Sequence, residues 1–221
     1  MKIDLHLHSP ASENNGDAIK WNNTYTTIKT LHSNGIKLAA FSDHNTFDYE
    51  FYKEVRKLGK TGGMVFLPAI EANVVRKNGV IANLIYVFRE DLTDEQLKKI
   101  SSIARKELPK RGISIESANA LFKDFETLRI PHIGKSDHFK YDDLLDLKYD
   151  AFEVTNMKHP NYVSILKKGL ISSTVSFSDT HVWTNYPQQG FLITDMNLEK
   201  PCFDELKEFL ELHRVYSKER A

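Results

Sequence analysis

One cysteine, Cys202, is all the thiol chemistry that 221 residues hold. It excludes an internal disulfide, and it cannot by itself supply a thiolate zinc site. Long apolar runs are missing as well: none approaches the roughly 18 residues that a membrane span needs. The start of the chain, Met1-Lys2-Ile3-Asp4-Leu5-His6, lacks the apolar stretch of a secretory leader, so a cytoplasmic location without membrane partners is expected. Net charge is absent, 30 lysines and arginines meeting 30 aspartates and glutamates. Proteins that grip nucleic acid through broad electrostatics carry a basic excess, so no extended nucleic-acid surface is expected. There is no GxxxxGK phosphate loop, which leaves an NTPase reading without support. Repeats, low-complexity tracts and linkers are absent too, and the length fits a single domain over residues 1–221.

What the chain does have is histidine, nine in all, in a composition otherwise ordinary for a globular protein at 41% hydrophobic and 27% charged. With thiolate excluded, any metal these histidines hold would be shared with carboxylates. Short apolar runs alternate with amphipathic stretches along the chain, the pattern of strands joined by helices. Strands are expected at Lys2–Leu7, Leu38–Phe41, Met64–Ile70, Ile81–Phe88, Leu128–Pro131, Ala151–Thr155, Ser173–Phe177 and Gly190–Thr194. Helices are expected near Tyr25–Asn34, Asp48–Leu58, Thr93–Glu107, Ser114–Phe125, Tyr141–Leu147, Asn161–Lys168 and Cys202–His213. Thr93, with Gln96 three residues on, reads as a capping box. Gly35, Gly59 and Gly169 sit where helices should stop. An unbroken βα succession of this length implies an α/β layer system, either an open parallel sheet or a barrel.

Polar residues follow the strands. The first runs into His6-Leu7-His8, the second into Ser42-Asp43-His44, the third into Glu71, and Leu128–Pro131 into His132. Glu153 lies in the strand Ala151–Thr155, and Ser173–Phe177 leads to Ser178-Asp179-Thr180-His181. In a βα barrel the strand ends gather around one mouth, so residues as distant as His6 and His181 would converge. Residues i and i+2 of a strand share a face, so His6 with His8, and Asp179 with His181, could each hold one ion. A single such pair often only lines an edge strand, but two of them plus a glutamate beyond an apolar run are hard to explain that way. Burying that glutamate without cations beside it would be costly. Imidazole and carboxylate donors without thiolate suit zinc, manganese or iron, in sites that keep a water for hydrolysis.

Asp4-Leu5-His6-Leu7-His8-Ser9, Phe41-Ser42-Asp43-His44-Asn45-Thr46, Pro68-Ala69-Ile70-Glu71, Ile130-Pro131-His132 and Ser176-Phe177-Ser178-Asp179-Thr180-His181 stand in a distinctive order. It resembles the motif order of the PHP (polymerase and histidinol phosphatase) family, over residues 4–181. The resemblance implies a distorted (β/α)7 barrel, completed by a strand and helix over residues 190–214. It also implies two or three divalent metal ions (zinc, manganese or iron) at the mouth, and phosphoester hydrolysis. Residue by residue, it puts one ion on His6, His8, Glu71 and Asp179, and a second bridged by Glu71 and held by His132. A third would use His44, His181 and an acid soon after His8, for which Glu13 is the best match and Asp17 a near alternative. Where relatives commonly carry a further histidine after the bridging glutamate, this chain has Asn83. An amide oxygen is a harder and weaker ligand, which favours an oxygen-tolerant ion such as manganese there.

The chemistry so implied is hydrolysis of a small anionic phosphorylated molecule or nucleotide, with Glu71, Asp179 and His132 acting through an ion-activated water. The ions would supply the positive field that a neutral chain lacks. Asp43, beside His44, would fix that imidazole's tautomer or cap a turn; Asp4 reads as structural, and Glu153 as a supporting acid. His138 and His159 lie on loops that would face the mouth, either touching substrate and giving a proton to the leaving group or simply solvated. Lys135, Lys158 and Arg89 are rim candidates for phosphate, and Trp183 and Tyr186 would stack on a nucleobase or pack in the core. His32, His213 and Cys202 receive no role. Two alternatives stand beside the phosphoesterase: a nuclease acting on nucleic-acid ends, and a non-catalytic, metal-binding regulatory domain.

Overall fold

The computed structural model describes residues 1–187, 193–212 and 217–218. In chain order the elements are β1 (Lys2–Leu7), α1 (Thr24–Ser33), β2 (Ile36–Phe41), α2 (Tyr49–Thr61), β3 (Val65–Phe66), β4 (Ala69–Val75) and β5 (Ile81–Phe88). There follow α3 (Asp94–Glu107), β6 (Ile113–Ser114), α4 (Ile115–Ala120), β7 (Thr127–Pro131), α5 (Tyr141–Leu144), β8 (Ala151–Glu153) and α6 (Pro160–Lys167). The chain ends with β9 (Ser173–Val175), β10 (Ile193–Asp195), α7 (Phe203–Leu212) and β11 (Ser217–Lys218). The expected strand Gly190–Thr194 begins outside the described residues, and so does His213 at the end of the expected last helix. No helix among the described residues is long and apolar enough to cross a membrane.

The helices start where short polar side chains meet unpaired N–H groups. Asn23, Asp48, Thr93 and Ser114 each accept a first-turn N–H, and Thr93 with Gln96 closes both bonds of the capping box. Gly35 and Gly169 follow α1 and α6 with φ of 78° and 82°, a conformation open to a residue without Cβ. Gly59 does something else. The helix runs past it to Thr61, and a Cβ on Gly59 would lie 2.5 Å from the Phe66 ring, so it permits close packing of α2 on β3. The expected strand Met64–Ile70 is divided into β3 and β4 at Leu67-Pro68, because proline has no N–H to give a ladder.

Three sheets form a mixed α/β fold: β11-β10-β1-β2-β3, β6-β4-β5-β7 and β8-β9. Parallel pairing of β1 with β2, β2 with β3, and β8 with β9 follows the βα pattern. The expectation that all strands point one way fails at β10, which runs against β1, and at β5, which runs against both β4 and β7. A tight turn, in which Arg76 and Val80 are hydrogen-bonded, reverses the chain there with no room for a crossover helix. Among the described residues the ladders do not close into one barrel. Single parallel bridges link the sheet edges instead: Leu7 with Thr180, His44 with Glu71, and His132 with Glu153.

The strands separate two apolar clusters. Leu84, Tyr86 and Phe88 of β5 face the helices together with Ile70, Ala72 and Val74 of β4. The opposite faces of these and other strands meet in a second cluster containing Leu38, Ala40, Ala69, Ile85, Val87, Leu128, Ile130, Ala151, Val175 and Phe177. Strand alternation then carries this second face to its polar ends. Glu71 follows Ala69 by two residues, Asn83 precedes Ile85 by two, and His132, Glu153 and Asp179 follow Ile130, Ala151 and Phe177 in the same way. In β1 a register shift between Asp4 and Leu7 changes the phase, which lets Ile3 and Leu5 join the same cluster while His6 and His8 join the site.

Candidate metal centre

Above that apolar floor, His6 Nε2, His8 Nε2, Glu71 Oε2 and Asp179 Oδ1 draw together. His6 Nε2 lies 3.1 Å from His8 Nε2, 3.1 Å from Glu71 Oε2 and 3.3 Å from Asp179 Oδ1. His8 Nε2 lies 3.1 Å from Asp179 Oδ1 and 3.5 Å from Glu71 Oε2. An equilateral triangle of donors with edges of about 3.3 Å is one face of a tetrahedron whose corners lie about 2.0 Å from its centre, the length of a bond from zinc to imidazole nitrogen or carboxylate oxygen. His6, His8 and Glu71 form such a face, with Asp179 beside the two histidines. The donor set therefore fits a divalent cation in both atom type and spacing.

Glu71 reaches two ways. Its Oε2 lies 3.2 Å from His44 Nε2, and its Oε1 lies 3.2 Å from His132 Nε2 and accepts the Asn83 amide at 2.8 Å. His132 Nε2 also lies 2.9 Å from Glu153 Oε2. Neither ring nitrogen of this buried histidine makes a hydrogen bond of good geometry, and Nε2 faces the two carboxylates, the orientation of a ligand. Asn83 occupies this corner because β5 is reversed, so the start of that strand, not its end, meets Glu71. For the same reason Arg89 lies away from the site, where its guanidinium bonds Asp91, Glu126 and Asp204. It is not a rim phosphate binder.

A third group combines His8, His44, His181 and Asp17. Asp17 Oδ2 lies 3.7 Å from His44 Nε2 and 4.0 Å from His181 Nε2, and it is buried without a hydrogen-bond partner. Glu13, the other candidate, is exposed on the 3-10 turn Pro10–Asn15 and belongs to no such group. The turn itself decides between them: it ends at Gly16 with φ of 108°, which brings the next residue back over the mouth. Asp179 also has a left-handed backbone, with φ of 52°, and its carbonyl lies 3.0 Å from His181 Nδ1. A positive φ in a non-glycine residue is uncommon and tends to cluster at functional sites.

Buried groups hold these side chains in place. Both Glu153 oxygens lie 3.0 Å from His6 Nδ1, which fixes the ring with Nε2 toward the cluster. Ser12 Oγ does the same for His8 Nδ1 at 3.1 Å. Lys135, expected on an open rim, is buried and donates to Asp179 Oδ2 at 2.8 Å and Glu153 Oε1 at 3.3 Å. Asp43 does not touch His44; its carboxylate takes the Ser9 N–H and hydroxyl at 2.7 and 2.6 Å, anchoring the turn after β1. Asp4 accepts from the Ser178 N–H and the Tyr186 hydroxyl at 3.1 and 2.9 Å, joining β1 to the segment that carries Asp179. Trp183, like Tyr186, is buried, and its indole N–H donates to the His8 carbonyl at 2.9 Å. Neither is a stacking surface. His138 and His159 lie edge to face at 5.0 Å, Lys158 is exposed, and His32 is exposed on α1.

The charges follow from this packing. Burial opposes charge on His6, yet Asp179 and Glu153 raise its pKa well above the usual histidine value. Burial pushes His8 down to about 4. Burial also drives the carboxyls upward, but His6 and its basic neighbours hold Glu71, Glu153 and Asp179 below the usual carboxylate range. Three ionised carboxylates thus meet in one buried place. Of the features above, the buried position of Lys135 had no signal in the sequence, since one lysine among many on a loop is not distinguishable there.

No family model matches the chain, and no curated protein matches it. Solved structures do. A two-domain protein from Bacteroides vulgatus, containing a predicted PHP-like metal-dependent phosphoesterase, superposes with a TM-score of 0.63 at 12% identity, covering 99% of this chain. The chain spans 64% of the length of that protein. An amidohydrolase from Chromobacterium violaceum with bound sulfate gives 0.61 at 13% identity, covering 98% of each chain. A protein put forward as a metal-dependent phosphoesterase, from Bifidobacterium adolescentis, gives 0.61 at 13% identity, covering 94% of this chain and 95% of its own. The chain thus shares its fold with PHP-like metal-dependent phosphoesterases, the likeness that its motif order implied.

Proposed function

We propose that this protein is a metal-dependent phosphoesterase of the PHP kind, a single domain forming a distorted (β/α)7 barrel, and that it hydrolyses a small phosphorylated molecule. The observation that carries this reading is the close grouping of His6, His8 and Glu71 ligand atoms, with Asp179 beside both histidines and the second oxygen of Glu71 facing another histidine. His6, His8, Glu71 and Asp179 would hold one ion, and Glu71 with His132 a second beside Asn83. His44, His181 and Asp17 would hold a third. Zinc, manganese and iron all accept such nitrogen and oxygen donors. Divalent ions bound there supply an activated water and a positive field for phosphoryl oxygens.

The chain's own residues set up that chemistry. Glu153 and Ser12 orient the two imidazoles of the His6-Leu7-His8 pair, and Asn83 steers Glu71. Lys135 places a fixed positive charge beside Asp179 and Glu153, which adds to the field that an anionic substrate would meet. The test is metal content and activity together. Protein purified without chelator should carry about two ions or more per chain, as a two-metal clamp requires, and should hydrolyse phosphomonoesters in a screen with manganese, zinc and iron. His8→Ala and Asp179→Ala, still folded by circular dichroism, should lose that activity. Unchanged activity in either variant overturns the reading.

A further inference from the structure

A cavity of about 360 Å³ is lined by Lys135, Ser136, Thr155, Asn156, His159 and Asp179, together with Gly134. It borders the metal cluster directly, because Asp179 turns Oδ1 to the cluster and Oδ2 to Lys135. A larger cavity, about 730 Å³, lies among Val75, Arg76, Asn119 and Asp146 and includes none of the clustered histidines. The smaller one is near the lower bound of ligand pockets, about 300–1,000 Å³.

Its hydrogen-bonding directions are already set. His159 Nδ1 accepts the Asn161 N–H at 3.2 Å, so the neutral ring carries its proton on Nε2 and donates there. Asn156 Oδ1 accepts the Lys158 N–H at 2.9 Å, which leaves the amide NH2 as a donor. Lys135 adds positive charge beside the cavity, its ammonium being already bonded to Asp179 and Glu153. His159 and Asn156 thus offer donors to a ligand, the Ser136 hydroxyl can donate or accept, and the Thr155 hydroxyl, which donates to the Gly134 carbonyl at 3.3 Å, offers an acceptor. Among the described residues neither a large aliphatic side chain nor a Phe, Tyr or Trp ring lines it, and the two aromatics after His181 are buried elsewhere. Among the described residues a nucleobase would find only the small ring of His159 to stack on.

We infer that this cavity receives the organic part of the substrate, which is the phosphate monoester of a small oxygen-rich aliphatic alcohol, a polyol or hydroxy acid, rather than a nucleotide. His159 Nε2–H and the Asn156 amide are the donors that read its oxygens. This inference rests on the phosphoesterase reading above. The experiment compares kcat/KM for glycerol 3-phosphate, 3-phosphoglycerate, adenosine monophosphate and phenyl phosphate in the metal-loaded protein and its His159→Ala and His159→Gln variants. The aliphatic esters should be preferred over the nucleotide by tenfold or more in the wild type. His159→Ala should raise KM for them about tenfold, the effect of leaving a polar partner unpaired, with a several-fold smaller loss on phenyl phosphate, which has no oxygen to read there. His159→Gln, which keeps a donor, should recover part of the loss. A nucleotide preferred over the aliphatic esters, or equal losses on all esters in His159→Ala, overturns the inference while leaving the phosphoesterase reading intact. Failure of the wild type to hydrolyse any ester, phenyl phosphate included, overturns both.

Discussion

Lys135 donates to Asp179 Oδ2 at 2.8 Å while the other oxygen of the same carboxylate lies 3.1 Å from His8 Nε2. A buried ammonium is therefore built into a centre whose other groups suit divalent cations. It also reaches Glu153, the carboxylate that orients His6, so two residues of the cluster depend on one side chain.

Removing that ammonium has two opposed effects on metal binding. Loss of an orienting partner weakens metal sites by about 10–100-fold. Loss of a positive charge acts the other way, since unit charges about 4 Å apart interact by about 4 kcal/mol at an effective dielectric of 20, and a divalent ion doubles it. The electrostatic effect is larger. Lys135→Met should therefore retain its metal more firmly in competition with a chelator, yet hydrolyse substrate more slowly because the cavity has lost its cation. Weaker metal retention would show that orientation dominates.

Asn83 gives a cleaner contrast. Its amide donates to Glu71 Oε1 at 2.8 Å, and it is almost fully buried. Asn83→Asp keeps the shape and replaces that donor with a second carboxylate facing the first. Without metal the variant should be less stable by about 1–3 kcal/mol, the penalty for a buried polar group left without its partner. With manganese or zinc it should gain more than the wild type, because the new oxygen is a ligand. Thermal melts with and without metal measure both; equal metal-induced shifts in the two proteins would contradict a second ion beside Asn83.

The sequence contained the ligand atoms because metal chemistry restricts residue type and strand geometry restricts spacing. His6 with His8, and Asp179 with His181, were readable for that reason, as were most strands and the capped helix starts. Strand direction was not readable in the same way. The alternation of Ile81–Phe88 looks the same whichever way the strand runs, so Arg89 was expected at the mouth and lies elsewhere. The choice of Asp17 over Glu13 depended on a turn whose path is set by the φ of Gly16. Lys135 depended on long-range packing that no local pattern encodes.

Gly134 connects packing to the site. A Cβ there would lie 2.4 Å from Val154 Cγ1 and 3.0 Å from the Asn156 carbonyl oxygen. The second contact is with backbone, so the strain cannot be relieved by a side-chain rotation. Gly134→Ala should cost about 1–3 kcal/mol, as overpacked cores do, and should displace Lys135 and Asn156 together. Gly59→Ala, tightest against the Phe66 ring and 3.2 Å from the Met64 carbonyl oxygen, away from the cluster, should lower the melting temperature with metal content unchanged. Equal effects of the two variants on activity would separate Gly134 from the site.

The pair Arg76 and Asp143 gives a pH prediction remote from the cluster. Arg76 Nε lies 2.7 Å from Asp143 Oδ2, both side chains are largely buried, and the Lys140 and Lys77 N–H groups add bonds of 2.9 and 3.1 Å. Burial pushes the Asp143 carboxyl up, but these donors outweigh it and hold the pKa below the ordinary 3.8. A depressed pKa means that the unfolded chain takes up the proton first as pH falls. The contribution of Asp143 to stability is therefore fully present above its ordinary value of 3.8 and is lost as pH drops below it through the folded-state value. Asp143→Asn should be destabilised by about 3 kcal/mol near neutrality, as expected when a buried ion pair loses one member. Denaturant titrations of wild type and variant should show that difference constant above about pH 5 and shrinking below about pH 4. A difference that persists undiminished at about pH 3 would mean that packing or the backbone bonds, rather than the ionised carboxylate, hold this corner of the fold.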